Sequence, residues 1–348
     1  MNREEAFSKL SKPNVDDKVL LLTHIDMDAA GAELLCKWAF KKLTVKHLSN
    51  SKMSQGILDY VKYNIENKEY DMIIIDDISC SIEVADEIDK IKGSMKIVLL
   101  DHHDTAVALN KYDWALVSSG LLEDSFMAGR YKDISKAHSS GASLMYDYLS
   151  YNGILAATDF IKEITHLIAA YDTWDWNYLL GKDEKYSTLD KLCDIYGLER
   201  FVDEMLCRAL RDSTINSLFN GKDIKMLEEY EEKVNEYLDG IKEYLVDSEL
   251  TLDSSEKLSV VWCFTTNYLQ ETFALMKESF PGRDLYLINY GTGIALRTDN
   301  QDIHVGNFAR ERYGGGGHPG AAGFGMSQEI KKKCLEVILG GTLNNKED

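Results

Sequence analysis

K-V-L-L-L-T-H-I-D-M-D-A-A-G, residues 18–31, passes from an apolar run to acidic and imidazole side chains in a single step. Residues 18–22 read as a buried strand that stops abruptly at Thr23-His24. From about Ala30 to Lys41 the chain is rich in Ala, Leu and Glu and reads as a helix, with Asp28 near its N-cap. The same succession recurs downstream. Residues 72–75 (MIII) stop at Asp76-Asp77, and residues 96–100 (KIVLL) stop at Asp101-His102-His103. Between them, 82–92 (IEVADEIDKIK) has a helical pattern. Strand alternating with helix predicts an α/β fold with a mostly parallel sheet.

Working outward, residues 139–171 read as two helices, and 199–248 as helical and acidic. Past Ser254-Ser255 the pattern changes. LSVVWCF, DLYLINY and GIALRT read as strands, with a helix at about 268–279. A glycine-rich loop at 314–325 and a final helix follow. The expected organisation is a catalytic domain at 1–185, an acidic helical connector at 186–250 and a smaller α/β domain at 251–348. The connector is a candidate for shaping a cleft or forming a homodimer.

The chain of 348 residues is 45% hydrophobic, enough for a sizeable core. No signal-peptide pattern and no membrane-spanning apolar run is present, which points to the cytoplasm and away from a membrane. Six scattered cysteines form no C-x-x-C pair and read as buried thiols, not as disulfides or a zinc site. A net charge of −19 argues against a grip on long duplex nucleic acid, which needs a basic face. Short oligonucleotides or small nucleotide phosphates can still be held by local cations.

Sheet ligands gather outside the carboxyl ends of strands, where these acidic segments fall. In extended chain His24, Asp26 and Asp28 share one face, forming a hard-cation site; a solvated turn with a capping aspartate is the competing reading. Asp76 and Asp77 point oppositely by the same alternation, so one of them is expected to bridge two cations. Asp101-His102-His103-Asp104 carries four polar groups that need partners. His102 and His103 face opposite ways, one toward metal and the other toward substrate. Asp172 follows an apolar helix and is flanked by aromatics; Trp174 and Trp176 read as core or interface residues. Carboxylates with imidazoles and no thiolates suit Mn²⁺ first and Mg²⁺ second. Two such ions, about 3.5–4 Å apart, activate a water and neutralise a phosphoryl oxygen.

In this order the motifs HIDMD (24–28), DIS (77–79), DHH (101–103), YDTW (171–174) and GGGGHPGAAGF (314–324) resemble the DHH phosphoesterase superfamily with its associated C-terminal domain, in particular the nanoRNase branch. The resemblance implies that His24 and Asp26 bind one metal ion, that Asp28, His102 and Asp172 bind a second, and that Asp77 bridges them. Asp77 is preferred to Asp76 because Asp77-Ile78-Ser79 fits the family's pattern. It implies that His103 meets the scissile phosphate or assists the leaving group, with Asp101 supporting the histidines. The glycine-rich loop also makes physical sense on its own: Gly315, Gly316 and Gly317 let backbone amides approach an anion, and His318 and Arg297 add donors. A tight turn without a ligand is the alternative. Gly320 to Gly323 read as packing.

The expected function is hydrolysis of very short oligonucleotides to mononucleotides, with metals at one wall of a cleft and Arg297 and His318 at the other. A single-strand DNA exonuclease would need more basic surface, and a soluble cyclic-dinucleotide or pAp phosphoesterase shares the same centre. A binding protein with a decayed centre would not be expected to retain all six ligands.

Overall fold

The computed structural model describes residues 1–49, 53–252 and 254–341. The chain divides into two compact units, Met1–Leu227 and Glu228–Asp348. In the first unit the elements are α1 (Arg3–Phe7), β1 (Lys18–Thr23), α2 (Met27–Ala39), β2 (Lys42–His47), α3 (Met53–Asn67), β3 (Met72–Asp76), α4 (Ile82–Ile91), β4 (Lys96–Asp101), β5 (Ala115–Val117), α5 (Gly141–Tyr151), α6 (Asp159–Asp172), α7 (Asp175–Tyr178), α8 (Lys185–Tyr196) and α9 (Leu198–Arg211). The helix α10 (Gly221–Ile241) runs through the division.

The five strands of the first unit form a parallel sheet in the order β2-β1-β3-β4-β5, which bears out the α/β reading. Alternation along each strand feeds two cores. Val19, Leu21, Met72, Ile74, Val98 and Leu100 face one side, under α2, α5, α6, α8 and α9. Leu20, Leu22, Ile73, Ile75, Ile97 and Leu99 face the other, with Ile57 and Val61 of α3 and Ala85 and Ile88 of α4. Each such aliphatic side chain contributes roughly 1.5–3 kcal/mol on burial, and burial on both faces explains why these strands are continuous apolar runs. The strand order reverses between β1 and β3, so the connections leave in opposite directions and open a crevice at the strands' carboxyl ends.

Residues 186–250 fall on both sides of the division at Leu227 and Glu228. Tyr186, Leu189 and Leu192 of α8 and Phe201, Val202 and Met205 of α9 enter the first unit's core. The strand β6 (Val246–Thr251) edges the second sheet. That unit adds β7 (Lys257–Phe264), α11 (Leu269–Ser279), β8 (Leu285–Asn289), β9 (Gly293–Arg297), α12 (Val305–Tyr313), β10 (Gly316–His318), β11 (Ala321–Gly325) and α13 (Gln328–Leu339). Its mixed sheet has the order β10-β11-β9-β8-β7-β6.

The glycine-rich segment expected as a loop is a β-hairpin, β10 paired antiparallel with β11. Its glycines serve the pairing. A side chain at Gly315 would lie 2.3 Å from the Gly323 carbonyl, and one at Gly317, whose φ is +138°, would lie 2.4 Å from that of Ala321. Among the described residues no helix is long and apolar enough to cross a membrane. Cys36, Cys80, Cys193 and Cys263 are buried thiols, but Cys207 and Cys334 are exposed, against expectation.

Candidate metal centre

The chain turns as soon as β1 ends. Asp26 caps α2, accepting from the Ala29 amide at 3.0 Å, so the extended alternation expected across 24–28 ends there. His24 Nδ1 lies 2.7 Å from Asp26 Oδ2. Asp28, in the first helical turn, is thereby carried elsewhere. Its buried carboxylate accepts from the amides of Gly141 at 2.6 Å and Ala142 at 3.1 Å, at the N-terminus of α5. Free amides and the helix dipole favour an anion there.

At the end of β3, Asp77 adopts φ +59°, a left-handed conformation unusual for a side chain other than Gly, Asn or Asp. Its amide donates to the Leu100 carbonyl at 3.0 Å. Because strand alternation fails at this residue, Asp76 and Asp77 approach the same place. A side chain added at Gly141 would lie 2.7 Å from Asp77 Cβ, 2.8 Å from Asp76 Oδ2 and 2.9 Å from Asp28 Oδ2. Gly141 is thus a site residue that the sequence reading missed; its signal is the capping Ser140 followed directly by glycine.

His102 Nε2 lies 3.1 Å from Asp77 Oδ1 and 3.6 Å from Asp172 Oδ2. Asp101, fully buried at the end of β4, accepts from the amide of His102 at 2.8 Å, from His103 Nδ1 at 2.7 Å and from the Ser79 hydroxyl. Burial opposes its charge, but His103, His102 and Ser79 outweigh that and hold it at about 2. Burial likewise opposes charge on His103, and Asp101 overrides it, lifting the imidazole to about 9. Strand alternation does not apply to the histidines, since β4 has ended; His102 is buried beside Asp77 and Asp172, and His103 is partly exposed.

Among the described residues three groups of side chains have ligand atoms within 4.8 Å of one another: His24, Asp26 and Asp77; Asp28, His102 and Asp172; and Asp77, Asp101, His102 and His103. The Asp77–His102 contact joins the first two. Burial, then neighbouring aspartates, pushes Asp77 and Asp172 well above the usual carboxylate range; burial and Asp26 push Asp28 up to about 7. Asp76 is raised for the same reasons. Among the described residues, Asp77 Oδ2, Asp172 Oδ2 and both oxygens of Asp76 are buried with no hydrogen-bond donor. Buried acceptors with mutual repulsion and few donors are what divalent cations resolve. The donor set of carboxylates and imidazoles therefore fits hard divalent ions.

The remaining expected site residues lie in the second unit. Arg297 ends β9, donates to Gln270 Oε1 at 3.3 Å and lies over the Phe273 ring at 4.8 Å. Gly316 and Gly317 begin β10 beside Gly315; the His318 side chain lies outside the described residues. Trp174 is not core: it is 46% exposed, at φ +62°, and stacks on Trp176, which stacks in turn on Tyr171 and Tyr186.

The first unit is an α/β domain whose parallel sheet gathers buried carboxylates and imidazoles at its carboxyl edge, a donor set that fits a divalent cation. The particular likeness is to oligoribonuclease NrnB of Bacillus subtilis (strain 168), 26% identical over 314 residues, spanning 89% of this chain and 73% of NrnB. The DHH phosphoesterase resemblance carried by the motifs is borne out by that match. No family model matches the chain. Among solved structures, an uncharacterised protein from Helicobacter pylori G27 aligns with a TM-score of 0.46 at 15% identity, over 93% of this chain and 99% of its own. The pGpG-specific phosphodiesterase PggH from Vibrio cholerae aligns with a TM-score of 0.46 at 11% identity, over 93% and 98%.

Proposed function

We propose that this chain is a metal-dependent phosphodiesterase that hydrolyses very short oligonucleotides to mononucleotides. The observation that carries the reading is the pair of three-residue ligand sets joined by the Asp77–His102 contact. The likeness to NrnB, an oligoribonuclease, supports the substrate class.

His24, Asp26 and Asp77 would hold one cation and Asp28, His102 and Asp172 a second, with Asp77 as the shared carboxylate; Mn²⁺ would be preferred and Mg²⁺ also suits the donors. When bound, the ions supply Lewis acidity and lower the pKa of water. His103 holds a proton at neutral pH, since Asp101 lifts it to about 9. It presents that proton to the scissile phosphate or the departing oxygen. Asp101 fixes the ring through Nδ1. Arg297, His318 and the amides of Gly315, Gly316 and Gly317 bind the part of the substrate that does not react. The net charge of −19 opposes long polyanions and suits a cytoplasmic enzyme for short ones.

The test is purified protein with Mn²⁺, and with chelator, against 5′-labelled RNA and DNA of two to about twenty nucleotides, alongside cyclic dinucleotides and pAp. Faster Mn²⁺-dependent turnover of two- to five-nucleotide RNA is expected. Equal rates on short and long chains would remove the length preference, and hydrolysis of pAp or cyclic dinucleotides alone would reassign the substrate.

A further inference from the structure

The grip that Asp101 places on His103 occurs a second time. Asp175, buried in the first turn of α7, accepts from His138 Nδ1 at 2.7 Å and from the His138 amide at 2.9 Å. Asp101 accepts from His103 Nδ1 at 2.7 Å and from the His103 amide at 3.3 Å. In each pair the aspartate is buried while the imidazole side chain stays open, 55% exposed for His138 and 37% for His103. A ring held through Nδ1 turns Nε2 outward as a donor. Hydrogen bonding to Asp175 also raises the pKa of His138.

The surroundings of His138 belong to the metal centre. Two residues on, Ser140 caps α5, whose first amides hold Asp28. Asp175 follows Asp172 by three residues. The 118–121 segment donates to the Asp101 carbonyl through Ser118 and pairs with the His138 segment at Gly120. Asp104, next to His103, lies within electrostatic reach of the His138 ring. Segments bearing Asp101, Gly141 and Asp172 thus adjoin His138 along the chain or through the hydrogen bonds just described, and a clamp made only to join 138 to 175 would not need its far edge open.

We propose that His138 is a second substrate-contacting histidine, donating from Nε2 to a phosphate oxygen or terminal phosphate of the oligonucleotide beside the reacting phosphodiester. The proposal rests on the phosphodiesterase reading above. It assigns the second dyad to substrate binding, while the His103–Asp101 dyad serves the bond that breaks.

His138→Asn keeps an amide donor at the Nδ1 position for Asp175 and removes Nε2. His138→Gln places a donor near Nε2. Two substrates separate the roles: a 5′-phosphorylated RNA dinucleotide, and bis(p-nitrophenyl) phosphate, which has a phosphodiester but no neighbouring phosphate. His138→Asn should raise KM for the dinucleotide about ten- to a hundred-fold and leave bis(p-nitrophenyl) phosphate turnover within about two-fold of wild type. His138→Gln should recover much of the loss. An unchanged dinucleotide KM, or equal losses on both substrates, would overturn the role of His138. Absence of dinucleotide hydrolysis by the wild type would instead remove the phosphodiesterase reading, and His138's role with it. If His138→Asn does not fold, the wild type is treated with diethyl pyrocarbonate with and without a phosphorothioate dinucleotide. Protection of His138 located by mass spectrometry supports the contact, and equal modification overturns it.

Discussion

At the carboxyl edge of the first sheet, burial first and neighbouring aspartates second raise the pKa of Asp28, Asp76, Asp77 and Asp172, and several of the oxygens of Asp76, Asp77 and Asp172 meet no donor among the described residues. In the hairpin of the second unit the opposite holds: Gly315 and Gly317 are pressed against the carbonyls of Gly323 and Ala321, and Arg297 is engaged by Gln270 and Phe273. The first region carries an electrostatic demand that a bound cation or protonation relieves. The second is satisfied by its own chain. Ligand binding has a physical ground in the unmet acceptors of the first region and only a sequence resemblance in the second, and the two should respond differently to mutation.

The largest effect is expected at Asp77. Asp77→Ala removes the carboxylate that belongs to one three-residue set and touches His102 of the other, and should lower kcat more than about a thousand-fold on every substrate, equivalent to the several kcal/mol that metal chemistry supplies. Asp76→Ala should be milder. If kinetics show Asp76→Ala inactive and Asp77→Ala active, the bridging assignment belongs to Asp76. Next comes Gly141→Ala. The new Cβ would lie within 3 Å of Asp76, Asp77 and Asp28 at once. We expect a stability loss of about 1–3 kcal/mol by denaturant titration and a roughly hundred-fold loss of kcat from displaced carboxylates. Unaltered kinetics would mean the cluster tolerates being spread.

Metal removal gives the third test. Burial and Asp26 raise Asp28 from 3.8 to about 7. A folded-state pKa above the unfolded one contributes stability that is fully present below pH 3.8 and is lost as pH rises through about 7. Asp77 and Asp172 shift in the same direction. His103, raised from 6.5 to about 9, has the same sign and extends the loss to alkaline pH. Asp101, lowered to about 2, has the opposite sign but acts below pH 3.8. These site groups should lower the metal-free Tm between pH 4.5 and pH 7.5 against the opposite contribution of His166, whose pKa burial lowers to about 3, so the test is the difference in slope between the metal-free protein and the protein with saturating Mn²⁺, which should remove the site's share. A slope identical with and without Mn²⁺ would contradict the electrostatic account.

The same contrast governs what could be read from the sequence. The strands β1, β3 and β4 were legible because burial on both faces leaves each as an apolar run, and the site was legible because each run stops at a charged group. The edge strands β2 and β6 were not, since their mostly polar, exposed residues carry no period. The hairpin was read as a loop because consecutive glycines carry no pattern at all. What remained hidden depends on distant partners: the left-handed turn at Asp77, the approach of Gly141, the burial of α8 and α9, and the Asp175–His138 pair. Local alternation also failed where strands ended, which is why it grouped Asp28 with His24 and Asp26 while the fold sends Asp28 to His102 and Asp172.

The smallest expected effect is the most discriminating, because it asks whether the second unit binds anything. Gly316 differs from its neighbours: a Cβ there meets nothing within 4 Å, and its φ is not in the left-handed range. Gly316→Ala should leave Tm within about 1 °C, since no packing is disturbed and surface changes of this kind stay within about ±0.5 kcal/mol. If the hairpin amides approach a substrate phosphate, the same methyl group obstructs that approach and should raise KM for a dinucleotide about three- to ten-fold, the ordinary worth of one neutral hydrogen bond. Gly317→Ala serves as the internal contrast, because its Cβ would meet the Ala321 carbonyl at 2.4 Å and should cost stability first. Arg297→Ala should raise KM further, by ten-fold or more, as the loss of a charged donor, while hydrolysis of bis(p-nitrophenyl) phosphate stays near wild type in all three variants. A Gly316→Ala protein with unchanged Tm and unchanged KM, together with an Arg297→Ala protein whose dinucleotide kinetics match wild type, would leave the hairpin as a packing element. The whole substrate site would then belong to the first unit.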